Sequence, residues 1–161
     1  MFKKINLPIL DVGLESLRGQ KLREFPNFIE YEVNRELLGD LSFKLQPDNI
    51  NLTEITPPGV MPHKDAWPVG LNFYINAGDD STYYWKLKSD NDRDSLVRPT
   101  GFAKAELQFV NSFKAKTNEW YLLDTKKIHS VEMTNTKESR FILRFIWRNR
   151  SFEEVLNSLE S

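Results

Sequence analysis

From about residue 50 onward, apolar and polar positions alternate with a period of two. "VGLNFYIN" puts Val69, Leu71, Phe73 and Ile75 on one side and Asn72 and Tyr74 on the other, the signature of a half-buried strand. "NINLTEITPPG" alternates and stops at Pro57-Pro58-Gly59. "STYYWKLK", "AELQFVNSF", "EWYLLDT", "KKIHSVEM" and "SRFILRFIW" continue the series, and "AGDD" and "TNTKE" read as turns between neighbours. Many short strands joined by polar turns predict a mostly β domain with flanking helices, arranged as a sandwich or jelly roll.

The pattern differs at both ends. Residues 1–49 read as a mixed α/β support: "FKKINLPIL" as an edge strand because of Pro8, and "LESLRGQ" as a short helical turn. "IEYEVNRELLGDL" places Ile29, Val33, Leu37 and Leu38 on one helical face, with Gly39 as a stop, and predicts a helix. Near the C-terminus, Ser151 and Glu154 form a capping box ahead of an apolar stripe of Phe152, Val155, Leu156 and Leu159, which predicts an amphipathic helix over 151–160 packed on a sheet. Residues 88–104 are the most polar stretch and read as a long loop, a candidate lid. The 161 residues suit one domain, with residues 50–148 as its jelly-roll core.

Composition narrows the chemistry. The chain has no cysteine, which removes disulfides, thiolate zinc sites and a Cys nucleophile from consideration. The net charge of −1, with both signs interspersed, gives no platform for nucleic acid or an anionic membrane. No apolar run reaches membrane-spanning length, and the first residues do not read as a signal peptide, so a cytoplasmic protein is expected. Oligomeric state is not legible.

There are two histidines. His63 stands in "PPGVMPHKDAWP", residues 57–68, which reads as a turn between two strands, and Asp65 follows two positions later. In an extended backbone their side chains point the same way. An imidazole and a carboxylate are a borderline-hard metal pair, and His129, at the head of a predicted strand, is the remaining candidate ligand. Two imidazoles and one carboxylate on one face of an ion leave positions open for a cosubstrate and O₂, as in non-haem Fe(II) oxygenases. Eleven residues after His129, Arg140 opens the strand "RFILRFIW", with Arg140, Ile142, Arg144 and Ile146 on one face. An inward guanidinium is costly unless an anion meets it, and a dicarboxylate would do so through paired N–H donors.

His63-Lys64-Asp65, His129 and Arg140 together resemble the HxD…H…R pattern of Fe(II)- and 2-oxoglutarate-dependent dioxygenases, over roughly residues 50–148. The resemblance implies a double-stranded β-helix, a cupin-like jelly roll with the metal at one mouth. It implies His63, Asp65 and His129 as ligands of Fe(II), and Arg140 as the partner of the distal carboxylate of 2-oxoglutarate. Arg144 matches a second arginine that some members place near the substrate or the cosubstrate's other end. Short length and sparse decoration are most similar to prolyl or aspartyl/asparaginyl hydroxylase-like and phytanoyl-CoA hydroxylase-like members. Asp65 favours hydroxylation, since related halogenases lack this carboxylate.

The implied activity is hydroxylation of an unidentified amino acid, peptide side chain or small metabolite, with O₂ consumed and 2-oxoglutarate decarboxylated to succinate. Asn72 and Tyr74 either hydrogen-bond 2-oxoglutarate or face solvent. Trp67 either contacts substrate or is plain packing; Trp85, which shares parity with Tyr83, either lines the pocket or belongs to the core. Arg144 otherwise pairs with a nearby Glu or reaches solvent. The competing class is a non-catalytic cupin-like module that binds a metal or small molecule, because fold does not fix function.

Overall fold

The computed structural model describes residues 1–39, 41–78, 80–88, 102–134 and 137–161. The alternating stretches become antiparallel strands: β4 (Asn49–Ile55), β6 (Val69–Asn76), β7 (Ser81–Leu87), β8 (Leu107–Phe113), β9 (Trp120–Asp124), β10 (Ile128–Glu132) and β11 (Arg140–Trp147). Before them come β1 (Phe2–Ile5), α1 (Leu14–Leu17), β2 (Arg18–Phe25) and β3 (Phe28–Val33), and β5 (Gly59–His63) lies between β4 and β6. Helix α2 (Phe152–Glu160) closes the chain. Most of the predicted loop, residues 89–101, lies outside the described residues, and the lid expectation with it. Among the described residues no helix is long and apolar enough to cross a membrane.

Two sheets form. One has seven strands in the order β1-β9-β6-β11-β4-β3-β2, the other four in the order β5-β10-β7-β8. From β4 to β11 the chain winds back and forth between the sheets, and this gives the eight-stranded jelly roll. Strands β1, β3 and β2 extend the larger sheet beyond that core.

Period two in the sequence produces two apolar layers, one on each face of the large sheet. Leu71, Phe73, Trp120, Leu122, Leu143, Phe145 and Trp147 pack outward beneath Leu17 of α1 and Val155 of α2. Their sequence neighbours Tyr74, Tyr121, Leu123 and Ile142 point inward, where they meet Tyr84 and Val131 of the small sheet. Helix α2 is fixed at its start by the predicted reciprocal cap, in which the Ser151 hydroxyl accepts from the Glu154 N–H and the Glu154 carboxylate accepts from the Ser151 N–H.

Two local expectations are corrected, and one strand is new. Residues 29–33 belong to β3 rather than a helix, and only Arg35–Leu38 form a single 3-10 turn. Ile29, Tyr31 and Val33 also satisfy a period of two, and pairing with β4 selects the strand. Strand β2 went unpredicted because its side chains are exposed along its whole length, so burial imposes no alternation. The stretch before His63 is a strand, not a turn; Pro62 is tolerated because β5 is an edge strand.

Gly59 sets the start of β5. Its φ is 110°, and a Cβ there would stand 2.0 Å from the Val131 carbonyl oxygen on β10. Gly59→Ala is therefore expected to force β5 away from β10 and to destabilise the fold by about 3 kcal/mol or more, read by urea denaturation. An unchanged midpoint would show that this pairing does not need the close approach.

Candidate metal centre

β5 and β10 are adjacent antiparallel strands, and His63 is paired directly with His129 across them. The two rings lie 4.4 Å apart, centroid to centroid. Asp65 sits just past the end of β5, in a connection held by its own N–H donating to the Thr125 carbonyl at 2.9 Å. One ligand atom from each of His63, Asp65 and His129 lies within 4.8 Å of the other two.

Backbone contacts decide which nitrogen each ring presents. His63 Nδ1 is 2.7 Å from the Met61 carbonyl oxygen, and His129 Nδ1 is 2.8 Å from the Lys127 carbonyl oxygen. A carbonyl can only accept, so Nδ1 donates in both rings and Nε2 of each neutral imidazole carries a lone pair. Both Nε2 atoms face Asp65 Oδ1, at 3.1 Å from His63 and 3.6 Å from His129. With both rings neutral, three acceptors converge with no donor between them. A divalent cation resolves that repulsion, and two nitrogens with one oxygen is a donor set suited to Fe(II), Mn(II) or Zn(II).

Charge follows the same geometry. Burial alone would raise the Asp65 carboxyl, but Arg144, with smaller contributions from His129 and His63, holds it well below the usual carboxylate range. Arg144 Nη2 donates to Asp65 Oδ2 at 2.8 Å, leaving Oδ1 for the imidazoles. His129 is lowered to about 4, first by burial and then by the proximity of His63, against the opposing pull of Asp65. At neutral pH His129 is therefore uncharged and available as a ligand, and Arg144 is the fixed cation that keeps Asp65 ionised.

Behind the triad, between the sheets, is a cavity of about 40 Å³ lined by residues that include Asn72, Tyr74, Thr82, Arg140 and Arg144. Arg140 is 1% exposed. Its Nη2 reaches the Thr82 hydroxyl at 3.4 Å, while among the described residues Nε and Nη1 have no partner. Its guanidinium lies over the Tyr74 ring at 4.7 Å, a contact that does not satisfy N–H donors. Asn72 Nδ2 approaches the Tyr74 hydroxyl at 3.4 Å, and its Oδ1 is unpartnered among the described residues. Buried, half-satisfied polar groups of this kind call for a further partner, such as a water or a polar ligand.

On the other side of the triad opens a larger cleft of about 620 Å³, bounded by β5 and the β2–β3 hairpin. Phe28, Val60, His63 and Arg144 line both spaces and form the partition between them. Trp67 lines the outer cleft, with Arg144 5.7 Å from its ring centre.

Among the sequence candidates, His63, Asp65, His129, Arg140, Arg144, Asn72 and Tyr74 gather around one small volume, and Trp67 stands beside it. Trp85 does not, which corrects its candidacy as a substrate contact. Thr82 and Tyr84 point inward on β7, so Tyr83 and Trp85 point outward; Trp85 packs on Phe109 and donates from Nε1 to the Ser130 hydroxyl at 2.8 Å. Sequence reasoning missed Thr82, whose parity with Tyr84 was the available signal. It also missed Phe25, Phe28 and Met61, because their strands were misread.

No family model matches the sequence, and no curated protein does. Solved structures with a similar fold include vicilin from hazelnut, Corylus avellana, at 10% identity over 83% of this chain and 32% of that one, with a TM-score of 0.48. Bacillus subtilis oxalate decarboxylase is similar at 12% identity over 82% of this chain and 29% of that one, with a TM-score of 0.45. The Escherichia coli ribosomal oxygenase YcfD is similar at 10% identity over 81% of this chain and 34% of that one, with a TM-score of 0.46. The chain spans about a third of the length of each.

The depressed pKa of His129 fixes a pH dependence. The unfolded chain takes up this proton near the ordinary value of 6.5, the folded one only near 4. Stability of the metal-free protein is therefore full above that upper value and falls as the pH drops between the two, by about 3 kcal/mol in total. Urea denaturation at several pH values is expected to show this loss, and His129→Gln to remove it. An equal loss in the variant would assign it to other groups.

Proposed function

We propose that the protein is an Fe(II)- and 2-oxoglutarate-dependent oxygenase that hydroxylates its substrate. The observation that carries this reading is the pairing of two features in one interior: the converging ligand atoms of His63, Asp65 and His129, and the buried Arg140 guanidinium, two of whose nitrogens have no partner among the described residues. The first suits a divalent metal. The second suits a carboxylate, and a ligand that carries one carboxylate to the metal and another to Arg140 is a short diacid.

In this reading His63 and His129 offer Nε2, each oriented by the carbonyl behind it, and Asp65 offers Oδ1 while Arg144 restrains Oδ2. Arg140 receives the far carboxylate, with Thr82 as a neighbouring hydroxyl. Asn72 and Tyr74 flank the chain of the diacid. Bound iron with 2-oxoglutarate and O₂ supplies the oxidising power that replaces C–H by C–OH, with succinate and CO₂ released. The surrounding apolar walls exclude water from that chemistry.

A second reading has its own support. The inner cavity of about 40 Å³ has room for about one water, so a five-carbon diacid enters only if partition side chains such as Arg144 and Phe28 move aside. A jelly-roll module that holds a metal and no cosubstrate needs no such movement.

Succinate formation by the iron-loaded chain separates the two. The oxygenase reading expects slow succinate release from 2-oxoglutarate even without substrate, abolished in Asp65→Ala and His129→Ala. Arg140→Gln is expected to weaken 2-oxoglutarate about a hundredfold while leaving metal binding in place, since a buried charged contact is worth several kcal/mol. Metal binding with no succinate supports the binding module. Equal turnover in Asp65→Ala would contradict the assigned ligands.

A further inference from the structure

The outer cleft has a chemical character of its own. Its walls are Phe25, Phe28, Val60, Met61, Pro62 and Trp67, and its floor is Arg144 and Asp65. Phe25 is 53% exposed and Met61 69% exposed, two large apolar side chains left in solvent on opposite rims, one on the hairpin and one on β5. The cations that line it, Arg23, Lys64 and Arg144, each already have a partner. Two N–H groups of Arg23 converge on Glu30 Oε2, at 2.8 and 2.7 Å, and Arg144 Nη2 donates to Asp65 Oδ2. Among the described residues two buried donors on lining side chains have no partner, Trp67 Nε1 and Arg144 Nε. An indole N–H left unpaired is costly, and an uncharged acceptor satisfies it.

The rims offer little main chain for an extended peptide to pair with. Pro26 and Pro62 have no N–H. The Gly59 N–H donates to Thr56, and the Asp65 N–H to Thr125. The Pro62 carbonyl accepts from the Phe102 N–H, and the Met61 carbonyl from His63 Nδ1. A volume of about 620 Å³ is that of a small-molecule site.

We propose that this cleft binds a small, uncharged or weakly polar molecule with a bulky apolar body, seated between Phe25 and Met61 and presenting one hydrogen-bond acceptor to Trp67 Nε1. This rests on the oxygenase reading in one respect: the apolar body is the part offered to the metal centre for hydroxylation. It selects a small apolar metabolite over a polar amino acid or a peptide strand. The β2–β3 hairpin, outside the jelly-roll core, is then the element that sets specificity.

Neutral amides of increasing length probe the cleft directly. The ¹⁵N-labelled full chain loaded with Zn(II) is titrated with butanamide, hexanamide and octanamide while the Trp67 indole N–H resonance, identified through Trp67→Phe, is followed by NMR. The resonance is expected to shift, and affinity to rise about threefold to fourfold per added methylene. Phe25→Asp, at an exposed position, is expected to weaken octanamide at least tenfold with an unchanged circular dichroism spectrum. An unmoved Trp67 signal, or affinity independent of chain length, overturns the proposal. So does a capped leucine tripeptide that binds more tightly than octanamide. Calorimetry with 2-oxoglutarate on manganese-loaded protein keeps the two readings apart: amide binding without 2-oxoglutarate binding retains the apolar cleft and removes the oxygenase, and the reverse result removes the cleft alone.

Discussion

His63 and His129 face each other across the β5–β10 ladder, and the carbonyls of Met61 and Lys127 fix which nitrogen each ring turns toward Asp65. The candidate metal centre depends on that arrangement. Three acceptors pressed together repel one another unless a cation stands between them, and the fold holds them there regardless. Strand pairing supplies the force: β5 is locked to β10, and the Asp65 N–H ties the following turn to Thr125. The jelly roll stores the repulsion in its own backbone register, which is the physical content of a preorganised metal site.

The arginines divide the electrostatic work. Arg144, on the inward face of β11, meets Asp65 and offsets the cost of burying that carboxylate. Arg140, four residues earlier on the same face, meets a hydroxyl and a ring face and, among the described residues, no carboxylate. Two buried guanidiniums on one strand, one neutralised and one not, make an asymmetric interior. A buried ion without a counter-charge is the more informative of the two, because folding alone gives no reason to keep it.

The alternating strands β6, β9 and β11 were legible because each is buried on both faces by different layers, so every side chain is constrained. The site residues were legible for the same reason: parity on β11 places Arg140 with Arg144, and parity on β6 places Asn72 with Tyr74. The exposed hairpin strand β2 carried no such constraint, and β3 satisfied helical and strand periods alike until pairing with β4 chose between them. Prolines hid β5, since Pro57, Pro58 and Pro62 read as a turn when the sheet edge is not in view. Trp85 shows the limit of residue type as a guide: an aromatic ring near a site in sequence stands on the far face once alternation is counted from Thr82. The outer cleft, assembled from β5 and the β2–β3 hairpin, was invisible for want of both elements.

Calorimetric titration of the metal-free chain, first with Mn(II) and then with 2-oxoglutarate, tests the central claim most directly. One Mn(II) is expected to bind per chain, and 2-oxoglutarate to bind afterwards but not before, because its near carboxylate needs the ion and its far one needs Arg140. Absence of Mn(II) binding, or 2-oxoglutarate binding that is equally tight without metal, would contradict it.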